Sequence, residues 1–220
     1  MSNENVVCEL QLALDVLSID DALRVVSSVA DLVDVIEAGT PLIKSEGIRC
    51  VARLRAEYPD LRIVADMKTI DTGAIDAAMA FDNGADAVIF QASAPQQTVK
   101  SVVEETRRRG KQCMIDSLGI NDMVKFERLV EHSGADCAII HTGIDEQRDG
   151  FRPLDRLKRI HRGAKLPRLA VAGGIGPDSV GPIVELLASG IVIVGTEISR
   201  AQNPRNVACR IREIMKRHGV

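Results

Sequence analysis

Residues 62–68 and 87–92 have the sequences RIVADMK and AVIFQA, two short apolar runs separated by a stretch long enough for a helix. Six further runs of the same kind recur along the chain. They lie at residues 10–16, 33–39, 111–117, 137–143, 168–175 and 191–197. Because the runs are continuous rather than alternating, they are typical of parallel strands covered on both faces.

Amphipathic stretches of helical length separate these runs. They lie at residues 20–30, 46–57, 96–109, 121–132, 177–188 and 204–217. Ser18 or Asp20, Asn121-Asp122 and Pro177-Asp178 supply residues that favour helix starts. Strand then helix, repeated eight times at a spacing of roughly 25 residues, predicts an α/β fold, a single (β/α)8 TIM barrel domain over residues 1–220. A doubly wound open sheet is the alternative, because local pattern does not show closure.

The composition excludes several classes of protein. Of 220 residues, 45% are hydrophobic and 27% charged, which is ordinary for a globular protein. The net charge is -3, and the chain holds one Tyr, four Phe and no Trp, so we expect no nucleic-acid or membrane partner. No apolar stretch has the length of a membrane span, and the start MSNENVVCEL lacks secretion features, so we expect a cytoplasmic protein. The five scattered cysteines indicate reduced core thiols rather than disulfides or zinc ligands.

Polar residues cluster where the predicted strands end, which is the face that carries the reactive site in a barrel. The candidates are Asp15, Glu37, Asp66, Lys68, Asp71, Asp116, His141, Thr142 and Asp145. Any one of these acids is most simply a solvated rim residue, but the set on successive strand ends favours a site. So many carboxylates need cations nearby. Lys68 supplies one, a Mg2+ ion bound by oxygen ligands would supply another, and His141 could transfer protons.

Strands seven and eight end in glycines instead, in the sequences Gly173-Gly174-Ile175-Gly176 and Gly195-Thr196. Glycine lets the backbone approach a ligand closely, and the next helix is expected to begin at Pro177. Backbone N–H groups at such a place form an anion site, and barrels often bind phosphate there. A tight turn alone would also explain the paired glycines.

The motif D-x-K-x-x-D formed by Asp66, Lys68 and Asp71 resembles the orotidine monophosphate decarboxylase suprafamily. Within it, the chain is similar to the group of 3-hexulose-6-phosphate synthases and 3-keto-L-gulonate-6-phosphate decarboxylases. The likeness runs almost end to end, through LQLALDV, EAGTPLIKSEG, ADMKTIDTG, IDS, HTGIDEQ, AVAGGI and IVIVG in family order.

The resemblance implies a Mg2+-dependent aldol reaction that adds formaldehyde to ribulose 5-phosphate through an enediolate and gives hexulose 6-phosphate. It implies Glu37 and Asp66 as metal ligands, and a homodimer in which Asp71 reaches the neighbouring subunit's site. The expected catalytic residues are Lys68, Asp71, His141, Asp66 and Asp116, and the expected substrate-binding residues are Asp15, Thr142, Gly173, Gly174, Gly195 and Thr196. Lys68 would offset the enediolate charge, with Asp66 and Asp71 keeping it protonated.

Two features favour a synthase over a decarboxylase of a β-keto sugar-acid phosphate. The family's decarboxylases usually carry Glu at the position of Asp116 and an Arg just after the histidine, where this chain has Gly143-Ile144-Asp145. Departures from the synthase pattern are Phe90-Gln91-Ala92, Thr69-Ile70 and Gly195-Thr196-Glu197-Ile198, with Glu197 expected to turn outward. A phosphosugar-binding protein without catalysis is the third alternative, which the intact charged set opposes.

Overall fold

A computed structural model describes residues 8–161 and 165–219 and shows a closed barrel of eight parallel strands. The strands are β1 (Glu9–Leu14), β2 (Val35–Ala38), β3 (Arg62–Thr69), β4 (Ala87–Gln91), β5 (Gln112–Asp116), β6 (Cys137–His141), β7 (Arg168–Ala172) and β8 (Ile191–Val194). Strand β8 pairs with β1 and closes the sheet. The predicted (β/α)8 barrel is therefore confirmed, and the open-sheet alternative is excluded.

Helices surround the barrel and follow each strand. They are α1 (Ile19–Val29), α2 (Thr40–Glu46), α3 (Arg49–Glu57), α4 (Gly73–Asp82), α5 (Gln96–Arg108), α6 (Met123–Ser133), α7 (Ile144–Arg148), α8 (Pro153–Leu157), α9 (Val180–Leu187), α10 (Thr196–Ser199) and α11 (Pro204–His218). Within the described ranges, none is long and apolar enough to cross a membrane. Residues 1–7, on which the prediction of no secretion segment partly rests, lie outside those ranges.

Alternation along each strand divides the apolar side chains into two cores. The outward-facing ones join the helices in the larger core, which includes Leu12, Ile36 and Phe90. The inward-facing ones fill the barrel: Ala13, Val35, Val64, Ala87, Ile89, Met114, Cys137, Ile139, Ala170, Ala172, Ile191 and Ile193. With so few aromatics, small and β-branched side chains do this filling. The five cysteines are free thiols and four of them are buried, as predicted.

An aspartate directly before each of β2, β4 and β6 ties that strand to the one before it. Asp34, Asp86 and Asp136 accept the backbone N–H of Leu10, Ile63 and Cys113 at 2.7, 3.0 and 2.9 Å. Their own N–H groups donate to the carbonyls of the same three residues at 2.9, 2.7 and 3.0 Å. The barrel is thus assembled from repeated two-strand units, each latched at the N-terminal end of its strands.

Glu9 joins three strands at that same end of the barrel. Its carboxylate accepts from Arg62 on β3 at 2.6 Å and from Arg168 on β7 at 2.7 Å. Its backbone N–H donates to the carbonyl of Gly190, just before β8. This end therefore carries an ion-pair cluster beneath the apolar interior.

Two predicted helices have different bounds in the structure. The stretch 46–57 is divided, because α2 ends at Glu46, Gly47 adopts φ +71°, and α3 begins only at Arg49. The stretch 177–188 is a helix only over Val180–Leu187, with Ser179 as its N-cap. Pro177 and Asp178 therefore precede the helix rather than begin it. The caps at Ser18 and Asp122 are as predicted, since each side chain accepts a backbone N–H of the first turn.

Candidate active site

A cavity of about 850 Å3 opens at the C-terminal ends of the strands. Most of the predicted site residues line it: Asp15, Glu37, Asp66, Lys68, Asp116, His141, Gly173, Gly174, Gly195 and Thr196. Its floor consists of the uppermost apolar side chains of the barrel interior, Ala13, Ile89, Ile139, Ala172 and Ile193. The structure thus brings strand-end residues 180 positions apart in sequence around one space.

Lys68 owes its position to an irregularity in β3. The register between β3 and β4 shifts between Asp66 and Thr69, so Met67 and Lys68 form a bulge. Lys68 has φ +45°, a left-handed conformation that non-glycine residues seldom adopt. Bulges beside active sites commonly redirect a side chain. Here the bulge directs the ammonium group into the cavity.

Two buried carboxylates surround the Lys68 ammonium. Its Nζ lies 2.7 Å from Asp66 Oδ2 and 3.5 Å from Asp116 Oδ2, and the two acids are 6% and 1% exposed. Burial opposes the charge on Lys68, but the attraction of Asp66 and Asp116 outweighs it and raises the lysine pKa. Asp71 was expected to help keep Lys68 charged and to reach the neighbouring subunit's site, and that expectation stays a prediction. Asp71 is exposed, lies outside the cavity, and accepts the N–H of Thr72.

Asp66 presents one satisfied and one unsatisfied oxygen. Thr40 Oγ1 donates to Asp66 Oδ2 at 2.8 Å and lies 2.9 Å from the Asp66 carbonyl oxygen. Asp66 Oδ2 therefore accepts both Thr40 and Lys68. The other oxygen, Oδ1, is buried without a hydrogen-bond partner among the described residues. A buried carboxylate oxygen without a partner is costly unless something else, such as a cation or a substrate hydroxyl, completes its shell.

Glu37 lies on β2 in register with Val64 of β3, and it lines the same cavity as Asp66. It is buried, and Gln11 Nε2 donates to its Oε2 at 2.5 Å. Burial and the nearby carboxylates of Asp66 and Asp15 raise the pKa of Glu37 well above its ordinary value. Two buried carboxylates repel each other when both are ionised. A divalent cation between them would relieve this repulsion.

These residues fit a Mg2+ site. Asp66 Oδ1 lacks a partner, and Glu37 and Asp66 provide the hard oxygen ligands that Mg2+ prefers. In the part of the chain that the structure describes, no cluster of three or more acidic, histidine or cysteine side chains forms a complete cage. Mg2+ commonly binds one or two carboxylates and completes its shell with water and substrate oxygens.

Asp116 and His141 form the opposite wall of the cavity. His141 Nδ1 lies 2.9 Å from Asp116 Oδ2, and Asp116 Oδ1 accepts the N–H of Leu118 at 2.9 Å. Burial opposes the charge on both groups, but each is stabilised by the other. The pKa of Asp116 falls to about 2, and that of His141 rises above its ordinary value. The pairing fixes the ring and leaves Nε2 as the nitrogen for proton transfer.

The segment after β6 forms the rim, and a buried arginine holds it. Arg156, on α8, donates to the His141 carbonyl and to Glu146 Oε1, each at 2.5 Å. Glu146 in turn accepts the N–H of Gly143 at 2.8 Å. Thr142 was predicted to bind substrate; it is not part of the cavity lining, and its contact with substrate stays a prediction. Strand alternation turns its side chain away from His141, and Thr142 is fully buried outside the cavity lining.

The glycine side of the cavity allows close backbone contacts. Gly173 and Gly174 have φ +107° and +64°, and a Cβ on Gly173 would overlap the Thr142 carbonyl. A Cβ on Gly195 would lie 2.9 Å from Asp15 Oδ2, so the missing side chain makes room for that carboxylate. Burial and the charge of Asp66 raise the pKa of Asp15.

Glu197 was expected to turn outward, but it lies at this rim and does not turn fully outward. It is exposed, but it lines the cavity, and its Oε2 would lie 3.2 Å from a Cβ on Gly176. The exposed cations Arg200 and Lys44 line the same rim. A phosphate bound here would therefore meet backbone N–H groups and two cations as well as one carboxylate.

Gln11, Thr40 and Arg156 support the site and were not predicted from the sequence. Gln11 is a polar residue within the apolar run LQLALDV, which could have indicated a buried partner. Thr40 directly follows a predicted strand end, at the same edge as Glu37. Arg156 gave no comparable indication, because its burial depends on how α8 packs against β6.

Comparison with known proteins decides the family. The sequence matches the family described as "Orotidine 5'-phosphate decarboxylase / HUMPS family" over residues 9–211. The chain belongs to this family. Membership confirms the predicted resemblance, and with the named relatives below it makes the protein an enzyme of the carbon–carbon lyase class, as expected.

Named proteins and solved structures of this family are similar to the chain along nearly its whole length. It is 35% identical over 204 residues to "3-hexulose-6-phosphate synthase" of Staphylococcus aureus (strain USA300), covering 93% of this chain and 97% of the relative. The crystal structure of 3-hexulose-6-phosphate synthase from Salmonella typhimurium superposes with a TM-score of 0.91 at 35% identity, covering 96% and 99% of the two chains. The crystal structure of 3-keto-L-gulonate-6-phosphate decarboxylase from Vibrio cholerae O1 biovar El Tor superposes with a TM-score of 0.82 at 31% identity. The match covers 96% of this chain and 99% of that chain.

Proposed function

We propose that the protein is a Mg2+-dependent 3-hexulose-6-phosphate synthase, which condenses formaldehyde with ribulose 5-phosphate. The observation that carries the proposal is the charged Lys68, held between Asp66 and Asp116 in the cavity beside the unpartnered Asp66 Oδ1. A fixed ammonium at that place stabilises negative charge that develops on a substrate oxygen. The likeness to synthases along nearly the whole chain supports the same reaction.

Each step would use groups that already line the cavity. Loss of a proton from C1 of ribulose 5-phosphate gives an enediolate, whose negative charge Lys68 offsets. C1 then forms a bond to the formaldehyde carbon, and the formaldehyde oxygen takes a proton and becomes the new hydroxyl. His141, with its Nδ1 held by Asp116, moves protons through Nε2.

Glu37 and Asp66 would hold the Mg2+ ion, consistent with the donor set and with the unpartnered oxygen. When bound, Mg2+ supplies Lewis-acid polarisation of the substrate's carbonyl and hydroxyl oxygens. The phosphate would bind at the opposite rim, at Gly173, Gly174, Gly195 and Thr196. Asp15, beside Gly195, would accept a substrate hydroxyl.

We also propose that the active form is a homodimer in which Asp71 completes the neighbour's site. Asp71 is exposed, and the large apolar side chains Ile70, Ile75 and Met79 around it are 54%, 64% and 37% exposed. Clustered exposed apolar residues of this kind mark protein interfaces. A second copy of the chain covering them would place Asp71 at the boundary between two subunits.

Decarboxylation of 3-keto-L-gulonate 6-phosphate is the second candidate, since the reaction would pass through an equivalent enediolate beside Lys68. The similarity to a solved decarboxylase supports it. Two features oppose it. Asp116 stands where the family's decarboxylases usually carry Glu, and the segment Gly143-Ile144-Asp145 follows the histidine, where they usually carry an Arg.

The test is formaldehyde consumption by the purified protein with ribulose 5-phosphate, with Mg2+ and with the metal chelated. We expect rapid loss of formaldehyde that stops on chelation. Absence of any loss by the folded protein would overturn the synthase proposal. Release of CO2 from 3-keto-L-gulonate 6-phosphate would then assign the decarboxylase. Sugar-phosphate binding without turnover in both assays would indicate a binding protein.

A further inference from the structure

Gln11 is a polar side chain deep inside the barrel. It lies on β1, is fully buried, and stands in register with Val35 on β2 and Ile193 on β8. Both neighbours belong to the apolar filling of the barrel. Gln11 does not line the cavity, so it has no direct access to a substrate.

The amide group of Gln11 is directed at one partner. Its Nε2 donates to Glu37 Oε2 at 2.5 Å, and its Oε1 is buried without a partner among the described residues. Ala13 stands in register with Glu37, and its small side chain leaves space for Gln11 to reach up from the layer below. In this orientation one end of the Gln11 amide is hydrogen-bonded and the carbonyl end is buried without a partner among the described residues. A buried oxygen without a partner lowers stability, so stability alone does not explain a glutamine at this position.

We propose that Gln11 is a positioning residue that orients the Glu37 carboxylate toward the metal. The inference rests on the proposed function, in which Glu37 and Asp66 hold Mg2+. By donating to Oε2, Gln11 fixes the Glu37 side chain and leaves Oε1 for the cavity, which Asp66 also lines. Partners of this kind, which orient a metal ligand without touching the metal, strongly affect metal affinity.

The test compares Gln11→Met with Gln91→Met. Methionine keeps the length and volume of glutamine but cannot donate a hydrogen bond. Gln91 is also a buried glutamine on a barrel strand, 6% exposed, but its nearest register partner is Asp116 rather than Glu37. The same substitution there controls for the loss of a buried amide as such.

The primary measurement is Mn2+ binding by calorimetry, with and without ribulose 5-phosphate, so that no turnover is needed. We expect Gln11→Met to weaken binding about 10- to 100-fold and Gln91→Met to leave it within about twofold of the unsubstituted protein. The Mg2+ concentration that gives half-maximal activity should rise in parallel for Gln11→Met only. If Gln11→Met does not fold, Gln11→Asn keeps the amide but shortens its reach, and we expect the same loss.

Two results would overturn the inference. Binding by a folded Gln11 variant within about twofold of the unsubstituted protein would show that Gln11 does not position Glu37, while the metal assignment would stand. Absence of Mn2+ binding by the unsubstituted protein, with or without the sugar phosphate, would overturn the metal assignment and the role of Gln11 together. The two failures are therefore distinguishable.

Discussion

Lys68 combines an uncommon backbone conformation with an uncommon set of neighbours. A left-handed residue in a strand costs on the order of 1 kcal/mol, and the surrounding structure must offset that cost. Here the contacts with Asp66 and Asp116 do so, because two buried carboxylates share one ammonium. At about 4 Å and an effective dielectric near 20, one charge contact of this kind is worth about 4 kcal/mol.

We expect Lys68→Ala to reduce kcat/KM by a factor on the order of 10^3, because the contact worth about 4 kcal/mol to the enediolate is lost. Circular dichroism should show an intact fold. Lys100→Ala, at an exposed lysine on α5 that pairs with Glu104, is the control and should retain activity. Near-normal turnover by Lys68→Ala would contradict the assigned role.

The Asp116–His141 pair gives the stability a defined pH dependence. Because the folded-state pKa of His141 is raised, its contribution is full below 6.5 and is lost as the pH rises through the raised value. Because the pKa of Asp116 is lowered to about 2, its contribution is present above 3.8 and is lost as the pH falls toward 2. Asp116→Asn should therefore destabilise the protein most between these limits.

Urea denaturation of both proteins from pH 3 to pH 9 measures this effect, and NMR titration of the His141 ring should show a lower pKa in Asp116→Asn. Asp60→Asn, at an exposed residue outside the cavity, is the matched control. A difference in stability that does not vary with pH would contradict the charge pairing.

The sequence revealed part of this site and not the rest. Glu37, Asp66, Asp116 and His141 could be predicted because each ends an apolar run, and the ends of parallel strands meet at one edge. The contact between Lys68 and Asp116 could not, because it crosses β4 and depends on a bulge that no residue type announces. Asp71 was placed by the family resemblance in the neighbouring subunit's site, and within its own chain it lies outside the cavity.

At the level of elements, the aspartates that precede β2, β4 and β6 give the barrel a repeated latch. Asp86 is the most heavily bonded of the three. It accepts the N–H of Ile63 at 3.0 Å, Lys111 Nζ at 3.0 Å, and the guanidinium of Arg55. No aspartate precedes β8, and at the closing pair the Glu9 N–H on β1 donates to the carbonyl of Gly190.

Asp86→Ala should lower the free energy of unfolding by about 2–3 kcal/mol, because a backbone N–H and two cations lose a charged acceptor. The midpoint of urea denaturation measures the loss. Asp178→Ala, which removes a carboxylate that is 97% exposed, should change stability by less than about 0.5 kcal/mol. Equal effects of the two substitutions would show that the latch is of no special importance.

Strands were easier to predict than helices in this chain. Each of the eight apolar runs overlaps an observed strand, because a buried parallel strand needs apolar residues at successive positions. Only β1, which begins at Glu9, and β3, which ends at Thr69, extend one residue outside their runs. The helix bounds at 46–57 and 177–188 were wrong because Gly47 and Ser179 set them locally, within stretches whose apolar spacing continues past them. The short helices α7, α8 and α10 have too few turns to show periodicity.

At the scale of the whole molecule, the exposed apolar side chains near Asp71 are the feature that a single chain does not explain. Asp71 itself does not line the cavity of its own chain. Ile70 and Ile75 are more than half exposed, and Asp71 lies between them in sequence. In a two-fold dimer the same surface meets its copy, so each subunit could donate Asp71 and receive its partner's.

Subunit mixing tests this arrangement. Asp71→Ala and Lys68→Ala should each be inactive alone, but in a mixed dimer one site combines the intact Lys68 of one chain with the intact Asp71 of the other. With equal amounts, half the dimers are mixed and each has one whole site, so activity should recover to about a quarter of the unsubstituted level.

Lys68→Ala mixed with His141→Ala is the control, because both residues line the cavity of one chain and no whole site can form. Recovery in the control, or none in the first mixture, would contradict an Asp71 that acts across the interface.

The apolar floor of the cavity, with the Glu9 ion pairs beneath it, has a kinetic consequence. Among the described residues, buried apolar side chains fill the barrel beneath this floor, so a molecule bound on the floor has to enter before a molecule that binds above it. A small aldehyde bound on the floor, beneath a sugar phosphate, would be unable to dissociate until the sugar phosphate either reacted with it or dissociated. Under the proposed function, binding order is therefore imposed by shape, and product-inhibition patterns should be those of compulsory order rather than of random entry.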